Sequence, residues 1–118
     1  MINIYELTFD RLSLLGYPVK EQGTYSADDT LPETFATYQI IDSPNNTHAD
    51  NQPTSTTHRV QTVLYSKDPA IVQGADAALK GVMLPAKFMR AGGRPLPFSQ
   101  NTGHYAYTSD YRYYDMEG

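Results

Sequence analysis

Cysteine is absent from this chain, so neither disulfides nor thiolate metal sites can stabilise it, a composition compatible with a reducing compartment. Basic charge is scarce as well. Nine Lys and Arg stand against thirteen Asp and Glu, a formal charge of −4, which argues against a protein that binds nucleic acid by neutralising phosphates. Long apolar runs are missing: the opening MINIYELTFDRLSLLGY breaks its apolar residues with Glu6 and Asp10 and has no basic leader. It reads as neither a signal peptide nor a membrane span. There is no glycine-rich phosphate loop, no serine in a strand-turn-helix elbow and no repeat of solenoid period. The 118 residues suffice for one domain, residues 1–118, with a small core.

The clearest positive signal runs from Thr57 to Leu84. Val60, Thr62 and Leu64 alternate with Gln61, Val63 and Tyr65, the period-two pattern of a strand rich in β-formers. Asp68 and Pro69 then offer a helix cap and a first helical residue with no N–H to satisfy. Val72, Ala75, Leu79 and Val82 recur at helical spacing and leave Gln73, Asp76 and Lys80 outward. Upstream, Asn3–Leu15 reads as a mostly buried helix with its polar stripe at Asn3, Glu6, Asp10 and Ser13, stopped by Gly16 and Pro18. A short edge strand fits Pro18–Lys20, and Phe35–Ile41 is a second full strand. Between the two full strands Asp42–Thr56 has no large apolar residue and reads as the long projecting loop of a hairpin. Lys87–Arg90 reads as a short strand, Ala91–Pro95 as a turn requiring glycine's positive φ, and Leu96–Phe98 as extended chain. His104–Tyr114 alternates once more and gathers Tyr105, Tyr107, Tyr111 and Tyr113 on one face. The expected fold is α+β: an antiparallel sheet of about four strands with two helices on one face, in the order helix, strand, strand, helix, strand, strand.

Chemistry-bearing residues are present but poorly placed. His48, Asp50 and His58 suit zinc or manganese by type, yet the first two fall in the polar loop, so no metal site and no cofactor is expected. A Ser-His-Asp hydrolase can be assembled from the serines and three histidines only on paper. The acidic pairs Asp28–Asp29 and Asp115/Glu117 read as a solvated turn and a chain end. The tyrosine face could stack bases, but its neighbours Asp110, Asp115 and Glu117 are acidic, which disfavours nucleic acid. It fits a core face or a protein interface equally, because tyrosine serves both.

The succession YQIID, the polar loop running into DNQPTSTTHRVQTVLYSKDP, the short helix and the closing HYAYTSDYRYY resembles the small tail-terminator, or tail-completion, minor tail proteins of long-tailed bacteriophages and prophages, over nearly the whole of residues 1–114. The resemblance implies a non-enzymatic virion protein, assembled in the bacterial host cytoplasm. Its expected form is a homohexameric ring on the head-proximal end of the tail tube, where it stops polymerisation and joins the head connector. Implied partners are further copies of itself, the tube protein and the neck protein, with DNA passing through the lumen unbound and no membrane contact. The interface candidates are His48, Asp50, Asn51 and Gln52 in the loop and Tyr105, Tyr107, Tyr111 and Tyr113 on the last strand. On this reading Tyr111→Asp weakens assembly more than the fold. Two alternatives stand beside it: a neighbouring neck or head-completion protein, and a small ligand-binding or enzymatic α+β domain with its pocket between sheet and helices.

Overall fold

The computed structural model describes residues 2–23, 31–43, 45–47 and 53–116. It opens with helix α1, Ile4–Ser13, whose first turn is capped by the Asn3 carbonyl oxygen of the side chain, which accepts from the backbone N–H of Tyr5 and Glu6. Gly16, at φ 88°, takes the left-handed turn just beyond it. Strands β1, Val19–Glu21, and β2, Thr34–Asp42, follow, then β3, Asn45–Thr47, and the long β4, Pro53–Ser66. Asp68 caps the next helix by accepting from the Ala70 N–H at 2.9 Å, with Pro69 at its first position. That helix is divided at Gly74 into α2, Pro69–Gln73, and α3, Ala75–Met83, a break consistent with glycine's poor helix propensity. Strands β5, Met89–Ser99, and β6, His104–Met116, close the chain.

The fold is α+β, with a sheet larger and less regular than the sequence indicates. Its order is β1-β2-β4-β6-β5, with β3 also paired to β4. The sheet is mixed rather than antiparallel: β1 pairs with β2 in parallel, Val19 facing Ala36, a long-range pairing that no local pattern encodes. The expected strand Lys87–Arg90, turn and extended segment are one continuous strand, β5, paired to β6 from Met89 to Ser99. Proline is tolerated there because β5 is an edge strand. Gly92 and Gly93 do not supply positive φ, which among the glycines is found at Gly16, Gly23 and Gly103. Gly93 instead lets Tyr107 approach: a Cβ would meet the Tyr107 hydroxyl at 2.6 Å.

Part of the stretch 42–56, expected to be loop, is strand. Asn45–Thr47 pairs with β4 opposite Thr56 to Pro53, and β4 pairs with β6 along its length, from Ser55 opposite Met116 to Ser66 opposite Tyr105. Threonine-rich polar sequence can hold a strand where both edges are paired. The expected tip residues His48, Asp50, Asn51 and Gln52 lie outside the described residues.

All three helices pack on one face. Ile4 and Leu12 of α1, and Ala75, Leu79 and Met83 of α3, meet Ala36, Tyr38, Val60, Leu64 and Tyr111 of the sheet together with Phe88. The tyrosine face of β6 is therefore the helix-packed face. Tyr111 is 1% exposed and sits edge-on to Phe88, centroids 6.4 Å apart, so it cannot meet a neighbouring subunit. The expectation that Tyr111 belongs to an interface is corrected to core, and Tyr111→Asp is now expected to abolish folding, because an aspartate there would be a buried, unpaired charge. Helix α1 needs the opposite correction. Only Ile4, Thr8 and Leu12 are buried, while Tyr5 and Phe9 remain 47% and 42% exposed.

Leu79→Ala is expected to cost about 2–5 kcal/mol in urea unfolding, the range for emptying a filled core site. A loss below about 1 kcal/mol would contradict the placement of α3 over the sheet.

Candidate functional site

Four groups of side chains stand out once the sheet is in place. The first is a constellation of Ser43, His58 and Asp115. His58 and Asp115 are buried on neighbouring strands, and Ser43 follows the bulged end of β2, where the register shifts between Ile40 and Asp42. Ser43 Oγ lies 2.8 Å from His58 Nδ1. Asp115 Oδ2 is 3.8 Å from His58 Nε2, too far for a hydrogen bond, and accepts the Ile2 N–H at 3.1 Å. The order of groups is that of a hydrolytic triad, assembled from residues far apart in sequence. The arrangement differs from a working triad in its long Asp–His distance and in an exposed serine standing at a strand end rather than in an elbow. What the contacts do accomplish is mechanical: they tie the N-terminus, the hairpin base and the end of β6 together.

The second is a concave pocket of about 320 Å³ on the helix-free face, walled by Phe35, Tyr65, His104, Leu31 and Leu96 with Thr37 at its floor. Phe35 and Tyr65 stack at 4.7 Å, and His104 stands edge-on to both. His104 Nε2 lies 2.8 Å from the Pro32 carbonyl oxygen. A carbonyl only accepts, so Nε2 carries the proton and Nδ1 is left as an acceptor. That Nδ1 and Thr37 Oγ1 are buried without hydrogen-bond partners.

The third is the set Asp76, Arg90 and Tyr107 on the helix side. Arg90 Nε donates to Asp76 Oδ1 at 2.8 Å and Arg90 Nη2 to the Tyr107 hydroxyl at 3.1 Å; Lys80 lies 3.3 Å from the other Asp76 oxygen. Desolvation works to raise the Asp76 pKa, but the hydrogen bonds and charges of Arg90 and Lys80 outweigh it and hold the carboxyl below its usual range. The Arg90 guanidinium is in turn held above its ordinary value, first by Tyr107 and then by Asp76.

The fourth is surface. Phe98 and Tyr105, 47% and 38% exposed, pack on each other at 4.6 Å at the β5 side of the sheet. Beside them a groove of about 380 Å³ runs between α2 and the sheet, with Pro69, Val72, Leu96 and Tyr107 in its walls. Of the interface candidates read from the sequence, Tyr105 is exposed and Tyr107 and Tyr113 are half-buried. The sequence offers the apolar N-terminal helix as a further interface candidate without singling out Tyr5 and Phe9, whose i, i+4 spacing beside Glu6 and Asp10 is the available signal. Phe98 is not among the candidates read from the sequence.

Among the described residues no group of three or more His, Asp or Glu side chains is placed to hold a metal ion. His58 faces Asp115 and Ser43; His48 and Asp50, the other two residues of the metal set weighed from the sequence, fall outside the described residues. No helix among the described residues is long and apolar enough to cross a membrane. No protein-family model matches the chain, and no curated protein is significantly similar to it.

Two outcomes follow from these contacts. Ser43→Ala is expected to cost about 1 kcal/mol in chemical denaturation, the worth of one hydrogen bond; labelling of Ser43 by a fluorophosphonate probe would contradict its mechanical role. The Asp76 carboxyl has a lowered folded-state pKa, so its stabilisation is fully present above the unfolded value and lost as pH falls through the folded one. The urea midpoint of Asp76→Asn should therefore lie below that of the parent at pH 7 and converge on it as the solution is acidified, whereas a difference constant down to about pH 3 would contradict the pairing.

Proposed function

We propose that this chain is a structural subunit of a phage tail or neck, a tail-terminator-like protein that acts through contacts between subunits and catalyses no reaction. The observation that carries the reading is the distribution of exposed aromatic residues. Tyr5 and Phe9 lie on α1, which packs on α3 as well as on β1 and β2, and Phe98 and Tyr105 lie at the β5 side, the far edge of the sheet order from β1. A ring of identical chains needs a heterologous interface, in which one patch meets a different patch on the neighbour. A subunit with unlike apolar patches on opposite edges meets that need.

The shape supports the same reading. The molecule measures 52 × 29 × 23 Å, with its length set by β4 and β6. At one end of that length β3 pairs with the start of β4. Localisation to the virion, the hexameric state and the tube and neck partners belong to this proposal, as does passage of DNA through the lumen without binding. The acidic net charge supports the last of these, since an acidic lumen does not retain a polyanion.

The pocket between Phe35, Tyr65 and His104 favours a second reading, a small ligand-binding domain, because it combines apolar walls with two unpaired polar atoms. Native mass spectrometry of the full chain over a concentration range separates the two. A six-subunit species carrying no small molecule is expected. A monomer or dimer retaining a stoichiometric metabolite would contradict the ring and favour the pocket.

A further inference from the structure

We infer that the cavity between Phe35, Tyr65 and His104 takes a neutral aromatic molecule of one or two rings that carries an N–H or O–H donor. The inference rests on the ligand-binding reading of that cavity and names the class of ligand. Phe35 and Tyr65 are direct partners in the β2–β4 ladder; their rings stack at 4.7 Å, and His104 stands edge-on to both. Leu31 and Leu96 complete an apolar lining. A further ring packs well among such walls, because aromatic quadrupoles favour offset and edge-on neighbours. The volume of about 320 Å³ is at the low end for small-molecule sites. It suits a molecule the size of phenol or indole.

The polar groups set the rest of the class. His104 and Thr37, 2% and 4% exposed, both line the cavity. Elsewhere in the fold buried threonine hydroxyls are used: Thr8 donates to the Ile4 carbonyl oxygen, Thr62 to that of Ser109 and Thr108 to that of Thr62. Thr37 Oγ1 has no such partner, and neither has His104 Nδ1. Buried polar atoms are ordinarily paired, so two exceptions in one cavity point to a partner that the chain does not itself supply. With Nε2–H committed to the Pro32 carbonyl oxygen, His104 offers only an acceptor, and the ligand must bring the donor. The Thr37 hydroxyl can complete the pairing from either side. Among the described residues that line the cavity none is Asp, Glu, Lys or Arg, so a charged ligand would be desolvated there without a counter-charge. Phosphorylated and carboxylate compounds are thereby disfavoured. A ligand this small binds at about 0.1–1 mM and leaves during purification, so its site is compatible with a ring that carries no small molecule.

The test titrates the nitrogen-15-labelled full-length chain and follows its amide signals by NMR. The probes are indole and p-cresol, their donor-free counterparts indene and toluene, and the charged 4-hydroxybenzoate. Indole and p-cresol are expected to shift the amides around Phe35, Thr37, Tyr65 and His104 saturably, and to bind at least about fivefold more tightly than indene and toluene, the worth of one hydrogen bond. The 4-hydroxybenzoate anion should bind more weakly than p-cresol. Thr37→Val keeps the shape of the side chain and removes a hydroxyl that has no partner, so the variant should melt no lower than the parent while its preference for the donor-bearing probes shrinks. Equal binding of each probe and its donor-free counterpart, tighter binding of the anion, or a preference unchanged in Thr37→Val would overturn the ligand class while leaving the cavity a binding site. No saturable shift around the cavity with any of the five probes would overturn the class and the ligand-binding reading together.

Discussion

The ladder between β4 and β6 is the constraint on which the rest of the structure depends. Every residue from Ser55 to Ser66 faces its partner from Met116 to Tyr105 without a register break. Side chains alternate along a strand, so this register fixes which residues face the helices. Val60, Leu64 and Tyr111 enter the core with α1 and α3, while Val63, Tyr65 and Ala106 face the other way with Phe35 and His104. A slip of one residue would put Tyr111 outside and Asp110 into the core. Hydrogen bonds across the same ladder, from Thr62 Oγ1 to the Ser109 carbonyl oxygen and from Thr108 Oγ1 to that of Thr62, satisfy buried hydroxyls that would otherwise oppose this register.

With the centre so fixed, what remains for interaction lies at the edges. Strand β5 defends its open side with Pro95 and Pro97, which limit further strand pairing. Association there would run through side chains, and the aromatic pair Phe98 and Tyr105 is the material for it. At the other edge α1 buries one narrow stripe and leaves Tyr5 and Phe9 to water. A solitary monomer gains nothing from that exposure, whereas a subunit with two neighbours gains from both patches. The Ser43–His58–Asp115 contacts tie the ends of β2, β4 and β6 to the N-terminus.

Much of this was readable from local sequence, and the failures have a common cause. The β4 alternation, the Asp68–Pro69 start of α2 and the left-handed Gly16 are settled by neighbours within a few residues, and each appears where its pattern places it. The parallel β1–β2 pair, the length of β5 and the pairing of Asn45–Thr47 depend on strands distant in sequence, so composition misled: polar residues read as loop, and Gly92–Gly93 as a turn. The tyrosine face was identified correctly as a face, but whether it met helices or solvent was decided by where α3 lands. The same distance hid the approach of Ser43, His58 and Asp115. For α1 the hydrophobic pattern was read too generously, since an aromatic pair at i, i+4 can mark an outward anchor as well as a buried one.

The central claim is that identical copies join edge to edge through unlike patches and close on themselves. Electron microscopy of the concentrated full chain, with class averages computed without imposed symmetry, tests it most directly. Closed rings of uniform subunit number, each subunit touching two neighbours, are the expected result. Isolated single particles, two-fold dimers burying the same patch on both copies, or open filaments would contradict it.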